Sequence, residues 1–598
     1  MGQPLKWNGW GFISMEERKN RIKTRKKIEE LIPIILLFIL AFIIRFMGGT
    51  WGTKWDNDAY MARHAEYIYS FGHPAVPDPL SSAPLYQPGM AYLIAFVGWM
   101  IDLIPYKFAQ PSMVISEGLV PPLLGAATVL VIYGFAKILF NKSAGIIAGV
   151  LASFSHILLL RTMKGFVFHN ALSLFLIILT VVSFWYALKT IENPFPRGFK
   201  NRTIYLVTIL APAVLIGITG FSWGGYFILH VILIFYGLLL TALFLVKRDS
   251  MRQYKSYLWK TWVFIVFSLF FGTILALILY PVRGPVEILR AAQMLGFAEG
   301  PLVYKFTSDL MPPRLEGFES LFGTFLLVGI VLTAVGIYGL YKRDSRNGLY
   351  LFAALFATMI PAVRAWHFMD MFSMFVYISL GIGAAFIIER IQGPEPQKAV
   401  WKKLATVAVI VIIAIAFVNP VIGTVNEVRY SGGYVVQPER KAAFLYIKNN
   451  TDPDSLFINW WDYGNSLAYF AKRRPVIDQM YFPDAVVKAV SAVVVATDPD
   501  KGLQIARTLK ERHNSSAVYL MLFRYDAFLV PIMGYATGYD LSPGNESIRM
   551  TVADTGRLVG MNDLTNQTTY YRLWTNQSIE GYTPFYLSKE VKIYRLNV

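Results

Sequence analysis

The sequence predicts a polytopic α-helical membrane domain followed by a C-terminal soluble domain of mixed α/β structure. Of the 598 residues, 55% are hydrophobic and 16% are charged, whereas soluble proteins carry about 25% charged residues. Long apolar runs recur up to residue 420. Beyond it, short apolar runs such as "SAVVVAT" and "VKIYRL" alternate with Asp, Pro and Gly, which is typical of short strands and helices.

Eleven apolar runs are long enough to cross a membrane, which takes about 20 mostly apolar residues in a helix. They are residues 31–48, 119–140, 144–160, 171–189, 203–220, 223–246, 260–281, 321–341, 347–363, 370–389 and 400–420. We expect a further apolar run, 88–104, to lie in or against the outer interface. Counting that run as a span would place the later basic loops outside, against the positive-inside rule.

These runs divide the chain into three predicted parts. Residues 1–30 form a basic cytoplasmic segment, 31–423 the multi-span domain, and 424–598 an extracytoplasmic globular domain. No small-residue cleavage site follows the first apolar run, so we predict no cleaved signal. The connections 49–118, 161–170 and 282–320 then face outside, in a multi-pass protein of the cell membrane.

The net charge of +18 is explained by Lys and Arg that flank the spans on the cytoplasmic side, so no nucleic-acid partner is expected. The absence of cysteine excludes disulfides, thiolate metal sites and Cys nucleophiles. The C-terminal region carries Asn-x-Ser/Thr sequons, which are glycan acceptors on the outer side and fit this topology. These sequons begin at Asn449, Asn514, Asn545, Asn566 and Asn576.

Two of the predicted outer loops carry polar residues beside the membrane. Asp56 and Asp58 stand two apart in "WDNDAY", where they form either a turn and helix cap or part of a hard-metal site. His169 and Asn170 begin the next span, and a polar pair there is costly unless it is matched. They are either a helix cap or metal ligands.

Further along the chain, Asp309 lies in the third outer loop, and Arg364 and His367 lie at the outer end of a span. An outer Arg indicates an anionic partner such as a lipid phosphate, or snorkelling to head groups. All of these clusters fall on the face that also carries Trp460–Gly464, "WWDYG". Such convergence predicts an active site at the membrane surface.

WWDYG on an outer domain that follows many spans resembles the catalytic subunit of oligosaccharyltransferase, in its short archaeal form. Those enzymes transfer a preassembled oligosaccharide en bloc from a polyprenyl (dolichyl) phosphate or diphosphate carrier to Asn in N-x-S/T sequons. The resemblance implies a GT-C-like glycosyltransferase fold with about 11–13 spans here. It also implies dependence on a divalent metal, Mn²⁺ or Mg²⁺.

The resemblance assigns the acidic motifs residue by residue. Asp58 matches a metal ligand that faces the acceptor, with Asp56 beside it. "RTMKGFVFHN" resembles the second motif at Arg161, Thr162 and Gly165, but Phe168 and Asn170 replace its acids. His169 and Asn170 are then the candidate ligands. Asp309 replaces the usual Glu of a later motif, and with Asp58 it is our candidate catalytic carboxylate.

The remaining assignments concern the two substrates. Arg364, or alternatively His367, resembles the residue near the lipid phosphate. The acceptor hydroxyl is expected to contact Trp460, Trp461 and Asp462.

"DAFLVPIM" resembles a helix that contributes Met533 to the sequon, but Leu529 stands in place of Lys. Pro531 is expected to bend that helix.

We therefore expect an enzyme whose partners are a lipid-linked donor, an acceptor protein and the membrane, acting as a single subunit. Another polyprenyl-phosphate-sugar-dependent membrane glycosyltransferase would share the outer acidic loop, but it would not require WWDYG. A multi-span transporter is the other alternative. Charged residues are scarce within the spans and no inverted repeat is evident, which disfavours a transporter.

Overall fold

The structure is a computed structural model, and it describes most of the chain. The described residues are 15–49, 56–74, 78–81, 88–106, 108–194, 196, 199–246, 255–280, 293, 304, 307, 310–393, 399–430, 438–538, 550–552, 558–560 and 562–598. The predictions for Asp309 and for the side chain of Asp56 lie outside these residues.

The described residues of the N-terminal part form helices and the turns that join them. Its helices are α1 Met15–Met47, α2 Asp56–Phe71, α3 Gly89–Asp102, α4 Ser112–Leu139, α5 Lys142–Ser153, α6 His156–Leu160, α7 Asn170–Ile191, α8 Phe199–Ser222, α9 Phe227–Val246, α10 Lys255–Leu279, α11 Leu315–Phe322, α12 Leu326–Arg343, α13 Ser345–Arg364, α14 Met369–Gln392, α15 Ala399–Ala416 and α16 Val418–Tyr430.

Among the described residues, nine helices are long and apolar enough to cross a membrane, and α15 with α16 forms a tenth candidate bent by 45°. The predicted polytopic helical domain is therefore confirmed. Helix α14 is central, because 89% of its most apolar window is buried inside the protein, compared with 17% for α1. The apolar helix α3 has 14 residues, fewer than a membrane crossing needs.

The run 144–160, predicted as one span, is divided into α5 and α6. Helix α5 ends at Ser153, and Ser155 caps α6 by accepting a hydrogen bond from the Leu158 amide at 3.2 Å. The guanidinium of Arg45 lies 3.4 Å from the carbonyl oxygens of both Ala152 and Ser153. A cation at the last carbonyls of a helix stabilises its end, so α5 ends there and the chain turns instead of continuing as one helix.

The C-terminal part contains helices and two sheets, as the sequence predicts. Its helices are α17 Pro438–Asn450, α18 Gly464–Ser466, α19 Asp484–Val495, α20 Pro499–His513, α21 Val530–Ala536, α22 Asp563–Gln567 and α23 Thr569–Trp574. Its strands are β1 Leu456–Ile458, β2 Arg474–Pro475, β3 Val518–Phe523, β4 Met550–Val552, β5 Leu558–Gly560, β6 Tyr582–Leu587 and β7 Val591–Leu596. The predicted boundary at residue 424 falls within α16.

The main sheet has five strands in the order β2-β1-β3-β7-β6. Strands β2, β1 and β3 are parallel, whereas β7 pairs antiparallel with β3 and β6. All six residues of β3 are buried, as expected for a strand covered on both faces. Strand β1 is the inner strand that leads directly into Trp460–Gly464, so the sheet fixes where that segment begins.

Candidate active site

Helix α2 places Asp58 against the loop that precedes α7. The side chain of Asp58 is fully buried, and its Oδ1 accepts a hydrogen bond from the Phe168 amide at 2.9 Å. The first acidic segment and the loop before α7 are 110 residues apart in sequence but in direct contact. The structure thus brings together two of the loops that the sequence predicted to form the site.

Residues of the second motif that match the family pattern hold this loop in place. Thr162 Oγ1 accepts a hydrogen bond from Arg45 Nε at 2.8 Å, and the Lys164 amide donates to the Arg45 carbonyl oxygen at 3.0 Å. Gly165 has φ +82°, a conformation that glycine adopts without strain. Sequence reasoning did not identify Arg45, although an Arg near the end of an apolar span is a signal that invites explanation.

His169 and Asn170, which begin α7, are both buried. Neither ring nitrogen of His169, nor Oδ1 of Asn170, has a hydrogen-bond partner among the described residues. Burial, followed by the charges of His367 and Arg161, holds the pKa of His169 well below its usual value. The imidazole is therefore neutral, which is the form that binds metal ions.

A small cavity adjoins these two residues. It has room for one water-sized particle, about 10 Å³, close to the minimum that holds a water molecule. Its polar lining comes from His169, Asn170, His367 and Asp370. Asp370 is a buried carboxylate close to the Asn170 amide that sequence reasoning missed. A carboxylate inside an apolar run was the available signal.

The two candidates for the lipid phosphate differ in position. Arg364 ends α13 and is exposed, whereas His367 is half-buried and lines the cavity beside His169. The structure therefore brings His367, the alternative candidate, to the second motif.

The donor types at these loops suit a divalent ion. Asp58 offers a carboxylate and Asn170 an amide oxygen, and such oxygens are ligands for Mn²⁺ or Mg²⁺. His169 adds a neutral imidazole, and among the described residues neither its ring nitrogens nor the Asn170 oxygen has a partner. Within the described ranges, no three His, Cys, Asp or Glu side chains are grouped so that they could hold a metal ion. A complete ligand set would draw on Asp56, whose side chain lies outside those ranges, or on the oxygen of Asn170.

Trp460–Gly464 follows β1 and folds as a turn of 3₁₀ helix from Trp461 to Tyr463. The rings of Trp460 and Trp461 have centroids 3.9 Å apart, and Tyr463 stacks on Phe523 at 3.7 Å. A β carbon on Gly464 would lie 2.3 Å from the Ile477 carbonyl oxygen, so only glycine permits this close approach. The motif is thus rigidly packed into the domain core.

Asp462 is the half-buried carboxylate of this motif. Its Oδ1 accepts a hydrogen bond from Gln479 Nε2 at 3.0 Å. Burial raises the pKa of Asp462, although hydrogen bonds from Gln479 and Trp461 oppose the rise. The indole nitrogen of Trp460 is buried and has no partner in the described part of the chain, so it remains available as a donor.

Met533 lies in the same hydrophobic cluster as Trp460 and has no exposed surface. A threonine methyl would therefore have to reach a covered side chain. The predicted bend at Pro531 is wrong, because α21 begins at Val530 and Pro531 occupies its first turn, where proline costs no hydrogen bond. Asp526 accepts from the Phe523 amide at 2.8 Å, and burial raises the pKa of Asp526 to about 7.

Helix α2 also contacts the C-terminal domain directly. Glu66 accepts hydrogen bonds from Tyr469 at 3.0 Å and from Lys472 at 3.3 Å. Glu117 of α4 is buried within electrostatic range of Asp58 and Glu66, and neither of its carboxylate oxygens has a partner among the residues described. Sequence reasoning missed both glutamates.

Comparison with known families and proteins gives consistent matches. The family model described as "Oligosaccharyl transferase STT3, N-terminal" matches residues 60–422, which is more than half of the chain. The dolichyl-phosphooligosaccharide-protein glycotransferase 2 of Pyrococcus furiosus is 21% identical over 440 residues, covering 62% of this chain and 55% of that protein. Its Pyrococcus horikoshii counterpart is 22% identical over 459 residues, 63% of this chain and 57% of that protein. The chain thus spans just over half the length of these relatives.

Solved structures of Archaeoglobus fulgidus oligosaccharyltransferase share the fold. One is AglB in complex with an inhibitory peptide and a dolichol-phosphate, with a TM-score of 0.66. Another is tethered to an acceptor peptide containing the NVT sequon, with a TM-score of 0.69. Each is 15% identical and covers 94% of this chain and 80% of that chain. At this identity the likeness concerns the fold.

Proposed function

This chain belongs to the oligosaccharyl transferase STT3 family, and from that premise we propose that it transfers a preassembled oligosaccharide en bloc to proteins. The donor is a polyprenyl (dolichyl) phosphate or diphosphate carrier, and the acceptor is the side-chain amide of Asn in N-x-S/T sequons. The names of the Pyrococcus relatives and the ligands of the Archaeoglobus structures support this substrate pair.

One observation carries the proposal: a single helix connects the acidic loops to the WWDYG domain. Near its start α2 bears Asp58, which binds the second-motif loop at the Phe168 amide. Two turns later the same helix bears Glu66, which binds Tyr469, six residues after Tyr463. A transferase with a lipid donor and a protein acceptor requires that its membrane-domain carboxylate and its acceptor-binding domain be held in a fixed relative position. Helix α2 provides that connection.

The attacking group in this reaction, the amide nitrogen of the acceptor Asn, is a poor nucleophile. The lone pair of an amide nitrogen is delocalised, and the resonance shows as a rotational barrier of about 18–20 kcal/mol. Asp58 and Asp309 are the proposed carboxylates that accept the two N–H hydrogens and favour twisting of the C–N bond. The nitrogen then bonds to the anomeric carbon, the bond from that carbon to the phosphate oxygen breaks with its electron pair on the phosphate, and one amide proton leaves.

The departing phosphate needs positive charge beside it. His367 is the first candidate for this role, because it lines the cavity beside His169. Arg364 is the second candidate. A divalent ion, Mn²⁺ or Mg²⁺, would supply further neutralisation when bound. Its proposed ligands are Asp58, His169 and Asn170, with Asp56 completing the set.

The acceptor is selected by its +2 hydroxyl. Asp462 is the proposed acceptor of the hydroxyl hydrogen, and the indole N–H groups of Trp460 and Trp461 are the proposed donors to its oxygen. A site built to bond a hydroxyl strongly rejects residues that lack one. Met533 is the proposed contact of a threonine methyl.

We assign the enzyme to the cell membrane, with its C-terminal domain and active site on the extracytoplasmic side. The basic segments between the predicted spans support that orientation. The enzyme works as a single subunit on its lipid-linked donor and protein acceptor, and it has no nucleic-acid partner.

The test is reconstitution of transfer. Detergent-purified protein is incubated with a lipid-linked oligosaccharide, a labelled N-x-T peptide and Mn²⁺ or Mg²⁺, and the glycopeptide is measured. We expect transfer that EDTA abolishes and that Asp58→Ala reduces by about a thousandfold. Asp500→Asn, at an exposed position on α20, is the matched control and should retain full activity. Absence of any glycopeptide with a donor that a known transferase accepts would overturn the function.

A further inference from the structure

Gln479 lies beside Asp462, the carboxylate proposed to bind the acceptor hydroxyl. Its amide nitrogen donates to Asp462 Oδ1 at 3.0 Å. Its carbonyl oxygen Oε1 is buried and has no hydrogen-bond partner in the described structure. Burying an acceptor without a partner is unfavourable, so this carbonyl oxygen, beside a carboxylate proposed to bind the acceptor, indicates a ligand.

A tight turn holds Gln479 in this orientation. Asp478 Oδ1 accepts hydrogen bonds from the amides of Met480 at 2.7 Å and Tyr481 at 2.8 Å. The backbone closes the turn through reciprocal bonds between Asp478 and Tyr481 at 3.1 Å. Gln479 is therefore presented from a rigid turn rather than from an adaptable loop.

The turn is anchored to the membrane domain. The other carboxylate oxygen of Asp478 accepts a hydrogen bond from Ser81 Oγ at 2.6 Å. Ser81 belongs to a short segment that Asp78 fixes: the Ser81 amide donates to the Asp78 carbonyl at 3.3 Å. The Gln479 turn is thus attached to a loop almost 400 residues earlier in the chain.

Asp78 in turn is bound to α2. Its two oxygens lie 3.1 Å and 2.6 Å from the guanidinium nitrogens of Arg63, and His64 Nε2 lies at 3.4 Å. Burial favours the neutral form of Asp78, but His64 and Arg63 hold the pKa of that carboxyl below its usual value. This buried pair connects Gln479 to the helix that carries Asp58.

The unpaired groups around Asp462 complement one another. Within the described part of the chain, the donor Trp460 Nε1 and the acceptor Gln479 Oε1 both lack a hydrogen-bond partner. A sequon hydroxyl both donates and accepts, and the peptide around it adds backbone N–H donors. An ionised carboxylate has about four acceptor sites, so Asp462 can still accept the hydroxyl hydrogen beside its bond from Gln479. The carbonyl oxygen of Gln479 can accept from a peptide N–H.

We propose that Gln479 is a positioning and specificity residue for acceptor binding, whose amide nitrogen orients Asp462 and whose carbonyl oxygen accepts a hydrogen bond from a backbone N–H of the acceptor. This inference rests on the proposed function. It extends that function from the WWD residues to a residue 17 positions further on, held in place by the Ser81–Asp478 bond.

The experiment compares two substitutions of the same size. Gln479→Met keeps the volume but removes both hydrogen bonds, and Gln479→Glu keeps an acceptor but loses the donor to Asp462. For N-x-T peptide we expect either change to raise KM about tenfold while kcat stays within about twofold. The preference for N-x-T over N-x-A, measured as the ratio of kcat/KM, should fall by a similar factor. Gln577→Met, at an exposed glutamine bonded to Thr575, is the control and should change neither constant.

The anchor is tested with a matched pair of serine substitutions. Ser81→Ala removes the bond to Asp478, whereas Ser516→Ala removes an equivalent bond to Asp454 at 2.8 Å, on the exposed surface. We expect Ser81→Ala to raise the acceptor KM about threefold and Ser516→Ala to leave it unchanged.

Two results separate failure of this inference from failure of the function. If wild type transfers glycan but both Gln479 variants keep the wild-type KM and sequon preference, the role of Gln479 is overturned while the enzyme activity stands. If wild type neither transfers glycan nor binds a fluorescent N-x-T peptide, both the proposed function and the role of Gln479 are overturned. A fall in kcat alone, with KM unchanged, would also contradict a role in acceptor binding.

Discussion

Two motif regions of this protein, Trp460–Gly464 and the loop Arg161–Asn170, match the family in opposite ways. In the first, all five residues of the motif are present, and Asp462 is the carboxylate proposed to bind the acceptor. In the second, the matching residues hold the backbone of the loop. Thr162 binds Arg45, and Gly165 adopts a positive φ. The positions that would supply acids hold Phe168 and Asn170.

The comparison shows that a motif can keep its backbone conformation while the residues at its ligand positions change. Phe168 contributes its amide, which any residue has, to Asp58. The buried ring nitrogens of His169 and the side-chain oxygen of Asn170 have no hydrogen-bond partner among the described residues. Asp370 brings a carboxylate to the same cavity from another helix. Substitutions in the second region should therefore be tested for their effect on kcat, and substitutions in the first for their effect on the KM of the acceptor.

The largest effect is expected at the second region. His169→Ala should lower kcat for transfer by about a hundredfold or more, because it removes a proposed ligand of the divalent ion that would neutralise the departing phosphate. Asn170→Asp, which installs the acid of the usual motif, should instead lower the Mn²⁺ concentration needed for half-maximal transfer. Transfer that is indifferent to both substitutions would show that this loop has lost its catalytic part.

The first region should respond in binding rather than turnover. Asp462→Ala is expected to raise the KM of N-x-T peptide by about thirtyfold, since it removes a charged hydrogen-bond acceptor, with little change in kcat at saturating peptide. N-x-A peptide, which lacks the hydroxyl, should be affected much less. An equal loss with the two peptides would contradict the reading of the hydroxyl.

The same carboxylate predicts a pH dependence. Because burial raises the pKa of Asp462, lowering the pH protonates it within a range where ordinary aspartates remain charged. We expect the KM of N-x-T peptide to rise as the pH falls from 7 to 5, and Asp462→Asn to remove that dependence. The measurement is acceptor KM across this range at saturating lipid-linked donor.

A smaller effect concerns the packing of the first region. Gly464→Ala places a β carbon 2.3 Å from the Ile477 carbonyl, and overpacking of this kind costs about 1–3 kcal/mol. The free energy of unfolding should fall accordingly, seen as a lower Tm in detergent. Gly134→Ala, within α4 where an added β carbon meets no atom within 4 Å, is the control and should be neutral or slightly stabilising.

The smallest effect is expected at Asp526, which supports the motif from behind. Its pKa of about 7 lies above the unfolded value of about 3.9, so the folded state binds the proton more tightly. Its contribution to stability is full below the unfolded pKa and is lost as the pH rises through about 7. Wild-type Tm should fall between pH 4 and about 7 and level off above it, and Asp526→Asn should reduce that slope. An unchanged slope would show that Asp526 is ionised in the folded protein throughout.

Much of the site could be predicted from the sequence, because its key residues lie in short contiguous segments. Asp58, His169 and Asp462 could each be named from neighbouring residues and from the face of the membrane on which the topology placed them. Arg45, Glu117, Asp370 and Gln479 could not. Arg45, for example, binds Thr162 across 117 residues, and apolar periodicity carries no information about such pairs.

The sequence by itself determined the class of this protein and the identity of its motifs, since composition sets the partition between membrane and water, and short motifs carry their own chemistry. Only the tertiary structure decided that 144–160 is broken at the Arg45 guanidinium, that Pro531 begins a helix instead of bending one, and that His367 rather than Arg364 joins His169. It also decided that the WWDYG domain is joined to α2 through Gln479, Asp478 and Ser81. These outcomes depend on hydrogen bonds and packing between distant segments, which fold together only in three dimensions.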